Sequence, residues 1–459
     1  MPEAIPNFLN SSNSLNSSTA SYREIYKVAV PVSLEAVFQA SFSLVDQIVV
    51  GVLGASAVAA VGLSNNISLI LTLLYSAIGT GSGALIAQAY GRKDMAELSR
   101  IAVIGQVAAL VLGGLTALPL ILFPTPILKL IGAQPDVVEM GAGYLRLFAA
   151  AAPLMVMSAV TTAAFRSMSD ARTPMAITMA AMALNTVLAV LLVLGISPFP
   201  KLGVIGAGLA TLISQLIRCA ALLTVLYASR KEMKWRRPTR SELQRIGPHL
   251  FGVTYPIALS ELLWGTSTFV YTFVFTHLGT VALAASQIVT TVENLFIVAA
   301  TGLAPAAVAA VGQALGREAV SRAKKLAGVL LRLSLIAGLI FTAGLIVGGF
   351  LLPLIYPRVG RDVLQLAFWG AIIVALVQPA KVVNSYLGSG LLPSGGDTKF
   401  VLLTHVVSSY LIGLPVAGIF GIALKIGAWT VFAARGLEEI VKAVMLILRA
   451  RTGNWQRKL

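Results

Sequence analysis

Apolar residues in this chain come in long runs broken by short polar intervals. The runs Ile101–Leu128, Met175–Pro200 and Phe400–Leu424 are almost free of charge. Each has the roughly 20 residues a helix needs to cross a ~30 Å hydrocarbon core. Reading runs and breakers along the whole chain predicts twelve helical spans. They lie near 25–51, 56–89, 96–123, 138–164, 174–195 and 204–228, then 248–277, 281–314, 320–352, 363–389, 399–421 and 427–449. Some exceed 30 residues, which implies tilt or projection beyond the bilayer.

The two sets of six are related. Pro31–Ala102 can be laid on Pro256–Ala327 without a gap, 225 positions apart, with 15 of 72 residues identical, among them Leu53-Gly54/Leu278-Gly279, Gln88-Ala89/Gln313-Ala314 and Gly91-Arg92/Gly316-Arg317. An even number of spans per half returns the chain to the side it started from, so the halves run parallel, and duplicated halves facing each other are a common way to build a central transport site. The expected fold is an all-α polytopic membrane protein with twelve transmembrane helices in two six-helix lobes around a central cavity. The lobes are expected at 23–228 and 247–450, joined by a basic linker at 229–246 that serves as a hinge. Ser/Asn-rich residues 1–22 read as a disordered tail, with no signal peptide pattern, and 451–459 as a second tail.

Composition agrees: 57% of residues are hydrophobic, 11% are charged and the mean hydropathy is +0.87, where a soluble domain carries about 25% charged residues. The net charge of +16 does not point to nucleic acid, because the basic residues sit between spans. Of those, 23 Lys and Arg fall on one side of the predicted topology and five, Lys129, Lys201, Arg358, Arg361 and Lys425, on the other. That bias places both termini and the linker in the cytoplasm of an inner or plasma membrane, the linker against anionic lipid headgroups. The single Cys219 rules out an internal disulfide or a cysteine metal cluster.

Polar groups at membrane depth need a reason, since a central charge costs roughly 2.5–3.5 kcal/mol on insertion scales. On span 1, Glu35, Gln39, Ser43 and Asp46 are spaced by four, four and three, one helical face. Asp46 lies deeper. It reads either as a hydrogen-bond anchor or as a reversibly occupied proton or Na⁺ site, and Glu35 admits both readings equally. Span 7 carries Glu261, Gly265, Thr268 and Thr272, and span 10 carries Gln378, Lys381 and Ser385. An acid and a base at depth in one half predict a Glu261–Lys381 ion pair, either a permanent strut or one with which substrate competes. Asn65, Asn294 and Asn384 add neutral lining, and Met175, Met179 and Met182 share a face that suits either packing or varied apolar ligands. There is no HExxH, DDxxD, GxSxG or Walker loop, so a membrane-embedded enzyme and an ATP-driven pump both lack their chemistry. No cofactor is implied beyond H⁺ or Na⁺ as coupling ion.

Specific stretches carry a resemblance. LVDQIVVGVLGASAVAAVGLSNNI and GTGSGALIAQAYGRKD resemble the first two spans of the multidrug and toxic compound extrusion (MATE) transporters. ELLWG at 261–265 and HLGTVALAASQIVTTVENL at 277–295 do so in the second half. SGGDTKF and LEEIVKAVMLILRARTGNW fit the common bacterial NorM-like branch. The resemblance runs from about residue 22 to the end and implies a monomeric antiporter of two lobes. Such transporters export bulky amphipathic cations in exchange for H⁺ or Na⁺. It places Asp46 on the family's first-span acid, with Asn185 and Thr211 as its neighbours. Ala189 stands where some members carry a second aspartate, which favours H⁺. Lys381 stands where others have an aspartate, and Trp264 where others have the seventh-span acid. A lipid-linked glycan flippase of the same superfamily is the rival expectation. It would need more basic lining than Lys381, Arg146 and Arg218 supply.

Overall fold

The computed structural model describes residues 15–228 and 233–459. The expected disordered tail falls largely on residues 1–14, outside the described residues, as do 229–232 of the linker. All regular structure among the described residues is helical, because a chain in lipid must satisfy its backbone within each span. Eleven helices are long and apolar enough to cross a membrane. In order, spans 1–11 are Ser21–Gly51, Ser56–Gly91, Met95–Leu122, Pro135–Ser167, Arg172–Leu194, Val204–Ala228, Arg240–His277, Thr280–Gly316, Val320–Ile355, Arg361–Ser394 and Thr398–Ala423. Span 12, Trp429–Arg451, carries Arg435, Glu438, Glu439 and Lys442 and is less apolar for that reason. The twelve-span all-α reading holds. The helix of span 1 already begins at Leu15, so its first turns occupy part of the stretch expected to be unstructured.

The chain forms two compact units, Leu34–Thr254 and Met1–Ser33 with Tyr255–Leu459. The divisions fall inside spans 1 and 7, close to Pro31 and Pro256, so two continuous helices each contribute to both units. The described part of the linker lies inside the first unit and is fastened there. Arg245 Nη2 lies 2.7 Å from Glu97 Oε2 and Arg100 Nε 3.1 Å from Glu242 Oε1, and Arg236 also pairs with Glu242. Thr239 and Glu242 cap span 7 reciprocally: Thr239 N–H donates to Glu242 Oε2 at 2.9 Å and Glu242 N–H to Thr239 Oγ1 at 3.3 Å. Part of the linker's positive charge is therefore neutralised by protein carboxylates. The stretch expected as a free C-terminal tail is docked in the second unit. Trp455 is fully buried, Lys458 Nζ lies 2.6 Å from Glu318, and Arg449 grips Asp397 through two hydrogen bonds of 2.7 and 3.1 Å.

Each unit has its own apolar core, one including Tyr75, Ala109, Ala152 and Val160, the other Phe275, Ala371, Val374 and Phe432. The duplication is visible in backbone geometry. Gly54 and Gly279 precede spans 2 and 8 at φ 101° and 104°, and Lys93 and Glu318 close the turns after them at φ 61° and 58°. Both pairs are 225 positions apart. A Cβ at Gly113 would lie 2.5 Å from Pro153 Cα, and one at Gly338 would lie 2.9 Å from Pro379 N, so in each unit the third helix packs a glycine onto the backbone of a proline in the fourth. Pro153 and Pro379 are 226 apart. Ser169 and Gly396, both at positive φ, are 227 apart. The last step has a local cause: span 10 contains a π-helical turn, Leu387–Leu391, and such a turn takes up one extra residue without ending the helix.

The glycine contact gives a stability prediction. Gly113→Ala forces the third and fourth spans apart and should cost about 1–3 kcal/mol, the usual range for overpacking. Gly114→Ala, next to it and facing open space, should not destabilise. Thermal unfolding of the purified protein in detergent separates the two, and equal behaviour would sink the packing account.

Candidate functional site

Each unit holds a polar cavity, at corresponding places of the duplicated scaffold. In the first unit the cavity measures about 210 Å³ and is lined by Gln39, Phe42 and Asp46 of span 1, Ala181, Met182 and Asn185 of span 5, and Thr211, Ser214, Gln215 and Arg218 of span 6. Asn185 holds Asp46. With its amide turned so that each end meets a complementary partner, its nitrogen donates to Asp46 Oδ2 at 3.1 Å, and its oxygen accepts from Thr211 N–H and Ser214 Oγ, each at 3.1 Å. Thr186 Oγ1 donates to Asp46 Oδ1 at 3.4 Å. Both carboxylate oxygens thus face neutral donors, with no basic residue in ion-pair range among the described residues. Such a carboxylate is available to a mobile cation, which a carboxylate locked by arginine is not.

The structure brings together five of the expected residues here: Gln39, Asp46, Met182, Asn185 and Thr211. Others are placed elsewhere. Glu35 is buried, 2.7 Å from Arg166 Nη2, and accepts from Gln39 Nε2 at 3.4 Å, which makes it a paired group. Ser43 Oγ donates to the carbonyl of Gln39 on its own helix. Met175 and Met179 do not line the cavity. Asn65 and Asn294 are exposed.

In the second unit the expected Glu261–Lys381 pair does not form. Lys381 Nζ donates to Glu293 Oε1 at 2.6 Å, and Gln378 Nε2 donates to the same oxygen at 2.8 Å. Glu293 is on span 8, where the sequence pattern predicts only neutral lining from Asn294. One residue turns a helix by about 100°, so Glu293 points inward where Asn294 points out. The charge acting on Glu261 is that of Lys442. Span 12 contributes what was missed most completely: Arg435, Glu438, Glu439 and Lys442 recur at i, i+3, i+4 and i+7, one helical face legible in the sequence. Lys442 Nζ lies 3.3 Å from Glu438 and 3.5 Å from Glu439. Tyr271 OH and Ser409 Oγ donate to Glu438 at 2.7 and 2.6 Å, and Asn384 Nδ2 donates to Glu439 Oε2 at 2.8 Å. A smaller cavity of about 40 Å³ adjoins this network, lined by Trp264, Thr268, Tyr271, Glu293, Lys381 and Glu439 among others.

The first-helix walls of the two cavities correspond: with the 225-residue offset, Gln39 matches Trp264, Phe42 matches Ser267 and Asp46 matches Tyr271, and all six line their respective cavities. The first cavity has its carboxylate on the first helix, whereas the second takes Glu293 from span 8 and Glu438 and Glu439 from span 12. Among the described residues no three His, Cys, Asp or Glu side chains converge to hold a metal ion.

The comparisons with known proteins agree with this architecture. The MatE family model matches residues 31–191 and 256–419, one block in each half. The chain is similar to the probable multidrug resistance protein YoeA of Bacillus subtilis (strain 168), 25% identical over 460 residues, covering 95% of each chain. It is also similar to the probable multidrug resistance protein NorM of Thermotoga maritima, 26% identical over 457 residues, covering 95% of this chain and 93% of that one. Among solved structures, the outward-facing conformation of a multidrug resistance MATE family transporter of the MOP superfamily superposes with a TM-score of 0.86 at 20% identity, covering 96% of this chain and 97% of that chain.

The Lys381–Glu293 contact generates a double-mutant test. Glu293→Ala leaves a buried ammonium without its carboxylate and should destabilise by about 3–5 kcal/mol, whereas replacing both partners with apolar residues should cost far less. Thermal unfolding in detergent of Glu293→Ala, Lys381→Met and the double variant reads the coupling. Additive losses would mean that the two side chains do not act as a pair.

Proposed function

The chain belongs to the MatE family, and on that premise we propose that it is a cation-coupled antiporter exporting amphipathic, mostly cationic organic compounds by alternating access, with H⁺ favoured over Na⁺. The observation that carries the reading is Asp46, a carboxylate with no cationic partner, held by Asn185 and Thr186 at the wall of a cavity. A group of this kind binds an organic cation when ionised and releases it when a proton arrives. One carboxylate cannot fully serve both, and that exclusion is the coupling. The relatives' description as probable multidrug resistance proteins supports small organic compounds as cargo, and the 23-to-5 asymmetry of Lys and Arg supports a multi-pass inner or plasma membrane protein with both termini cytoplasmic.

One feature supports protons over Na⁺. Ala189, one turn after Asn185, adds no ligand. In energetic terms, one charge crossing a 100 mV potential gains about 2.3 kcal/mol, enough for roughly 50-fold accumulation before a pH gradient contributes. The flippase alternative is weakened because Lys381 is committed to Glu293 and Arg146 Nε donates to the Ile121 carbonyl, which leaves Arg218 as the one uncommitted base of the three considered.

In proteoliposomes with an imposed pH gradient, the wild-type protein should move a cationic dye without Na⁺. Asp46→Asn, which fixes the neutral state, should lower that flux by about tenfold or more, the consequence of losing an interaction of ~1.4 kcal/mol or larger. Varying Na⁺ and pH separately distinguishes the ions. Flux that follows a Na⁺ gradient at constant pH would reverse the assignment of the ion, and wild-type flux in Asp46→Asn would remove Asp46 from the mechanism.

A further inference from the structure

The cavity beside Asp46 contains a charge that the exchange cycle does not use. Arg218 lines the same wall, and its Nε is buried without a hydrogen-bond partner. Arg166 Nε is unpartnered too, but the other bases at this depth each have a carboxylate: Arg166 lies 2.7 Å from Glu35, Lys381 2.6 Å from Glu293 and Lys442 3.3 Å from Glu438. Arg218 has no carboxylate within ion-pair distance among the described residues. The charges acting on it are those of Glu35, attractive, and Arg166, repulsive, and these two already neutralise each other. One turn before it, Gln215 Oε1 is also buried and unpartnered and lines the same cavity. Leaving a guanidinium N–H and an amide oxygen buried without partners costs free energy, and orphaned groups on a cavity wall call for a ligand that completes them.

The ligand's chemistry follows from the two charges on the cavity wall. A guanidinium presents paired N–H donors to a planar oxyanion, and carboxylate is the small organic group that matches it. Gln215 Oε1 then accepts from a hydroxyl or amine next to that carboxylate. Asp46 faces the same space from span 1, contacted by Asn185, whose other partners are Thr211 and Ser214, seven and four residues before Arg218 on span 6. Four to seven residues of helix are about 6–10 Å, so the acid and the base stand apart along the same cavity wall. Phe42 and Met182 supply apolar surface between them. A volume of about 210 Å³ is small against the roughly 300–1,000 Å³ of drug-sized pockets and suits the charged part of a zwitterion better than a bulky monocation. We propose that Arg218 and Gln215 form an anion-binding corner of the Asp46 cavity, which takes the carboxylate of a zwitterionic organic substrate while its ammonium end lies against Asp46. This rests on the export function proposed above and narrows its substrate class. It also gives protonation a second effect. Neutralising Asp46 releases the ammonium end and leaves Arg218 as the dominant charge, so a zwitterion leaves more slowly than a simple cation.

The test uses a matched pair of dyes, rhodamine 110, which carries a free carboxylate, and rhodamine 123, its methyl ester. Binding of each to the purified full-length protein is read by fluorescence anisotropy in detergent, for the wild type, Arg218→Met and Gln215→Leu. Thermal melts verify that each variant is folded. The wild type should prefer rhodamine 110. A charge-assisted hydrogen bond is worth roughly 1.5–3 kcal/mol, so Arg218→Met should reduce the rhodamine 110 to rhodamine 123 affinity ratio by about 10- to 100-fold, with a smaller fall for Gln215→Leu. An unchanged ratio in folded Arg218→Met, or a wild type that favours the ester, overturns the anion corner. Dye efflux from cells separates this failure from that of the transport reading. Export of both dyes with no Arg218-dependent selectivity removes only the corner, whereas export of neither removes the transporter function on which it rests.

Discussion

An ionised side chain inside the hydrocarbon thickness must either meet its opposite charge or border a space where a mobile one can come. Most of the buried charges in this protein take the first course. Glu35 meets Arg166, Lys381 meets Glu293, and Lys442 meets both Glu438 and Glu439. Asp46 and Arg218 take the second, on the walls of one cavity. The groups in contact with Asp46 are neutral, the amide of Asn185 and the hydroxyl of Thr186. This difference separates the carboxylates that brace the structure from the one proposed to exchange cations.

The duplicated scaffold makes the contrast sharper, because it offers the same positions twice. On the first helix of the second half, the place of Asp46 belongs to Tyr271, and its hydroxyl donates to Glu438 at 2.7 Å. The acids come instead from spans 7, 8 and 12, with Lys442 beside the two on the last. The second cavity is therefore a crowded, largely self-neutralised network, with four acids (Glu261, Glu293, Glu438 and Glu439) set among Lys381, Arg435 and Lys442. The first is sparse, and sparseness is what leaves its charges available. A single structural plan thus gives one half a stiff electrostatic lattice and the other an open site.

The spans were readable from the sequence because crossing a membrane is a demand on consecutive residues. Length and apolarity are properties of a run, and the predicted boundaries agree with the helices to within a few residues for most spans. Asp46 and its neighbour Asn185 were legible through the MATE resemblance. The partner of Lys381 was not, for a geometric reason. Glu293 lies 88 residues away, and which side of span 8 faces span 10 is a matter of rotation that no count of polar residues on span 8 fixes. The charged face of span 12 was written plainly as Arg435, Glu438, Glu439 and Lys442. Three of the four stand in LEEIVKAV, a stretch that the MATE resemblance covers and that is also a set of ionisable groups in a hydrocarbon environment. The unpartnered state of Arg218 depends on what fails to reach it, which only the packed structure contains.

The π-helical turn at Leu387–Leu391 has a consequence for how such a protein changes over time. A residue inserted into a helix ordinarily breaks it or rotates everything beyond by about a quarter turn, and either outcome is severe in a packed bundle. Widening one turn confines the extra residue and lets the remainder of span 10 continue to its end at Ser394. The copy in span 4 has no such turn, and past this point the two halves differ by one more position than before. Duplicated halves can therefore drift apart in length within a span as well as in side-chain identity. Two further π-helical stretches in span 11, Val406–Gly413 and Gly418–Ala423, are places where the same tolerance for insertion is built into the backbone.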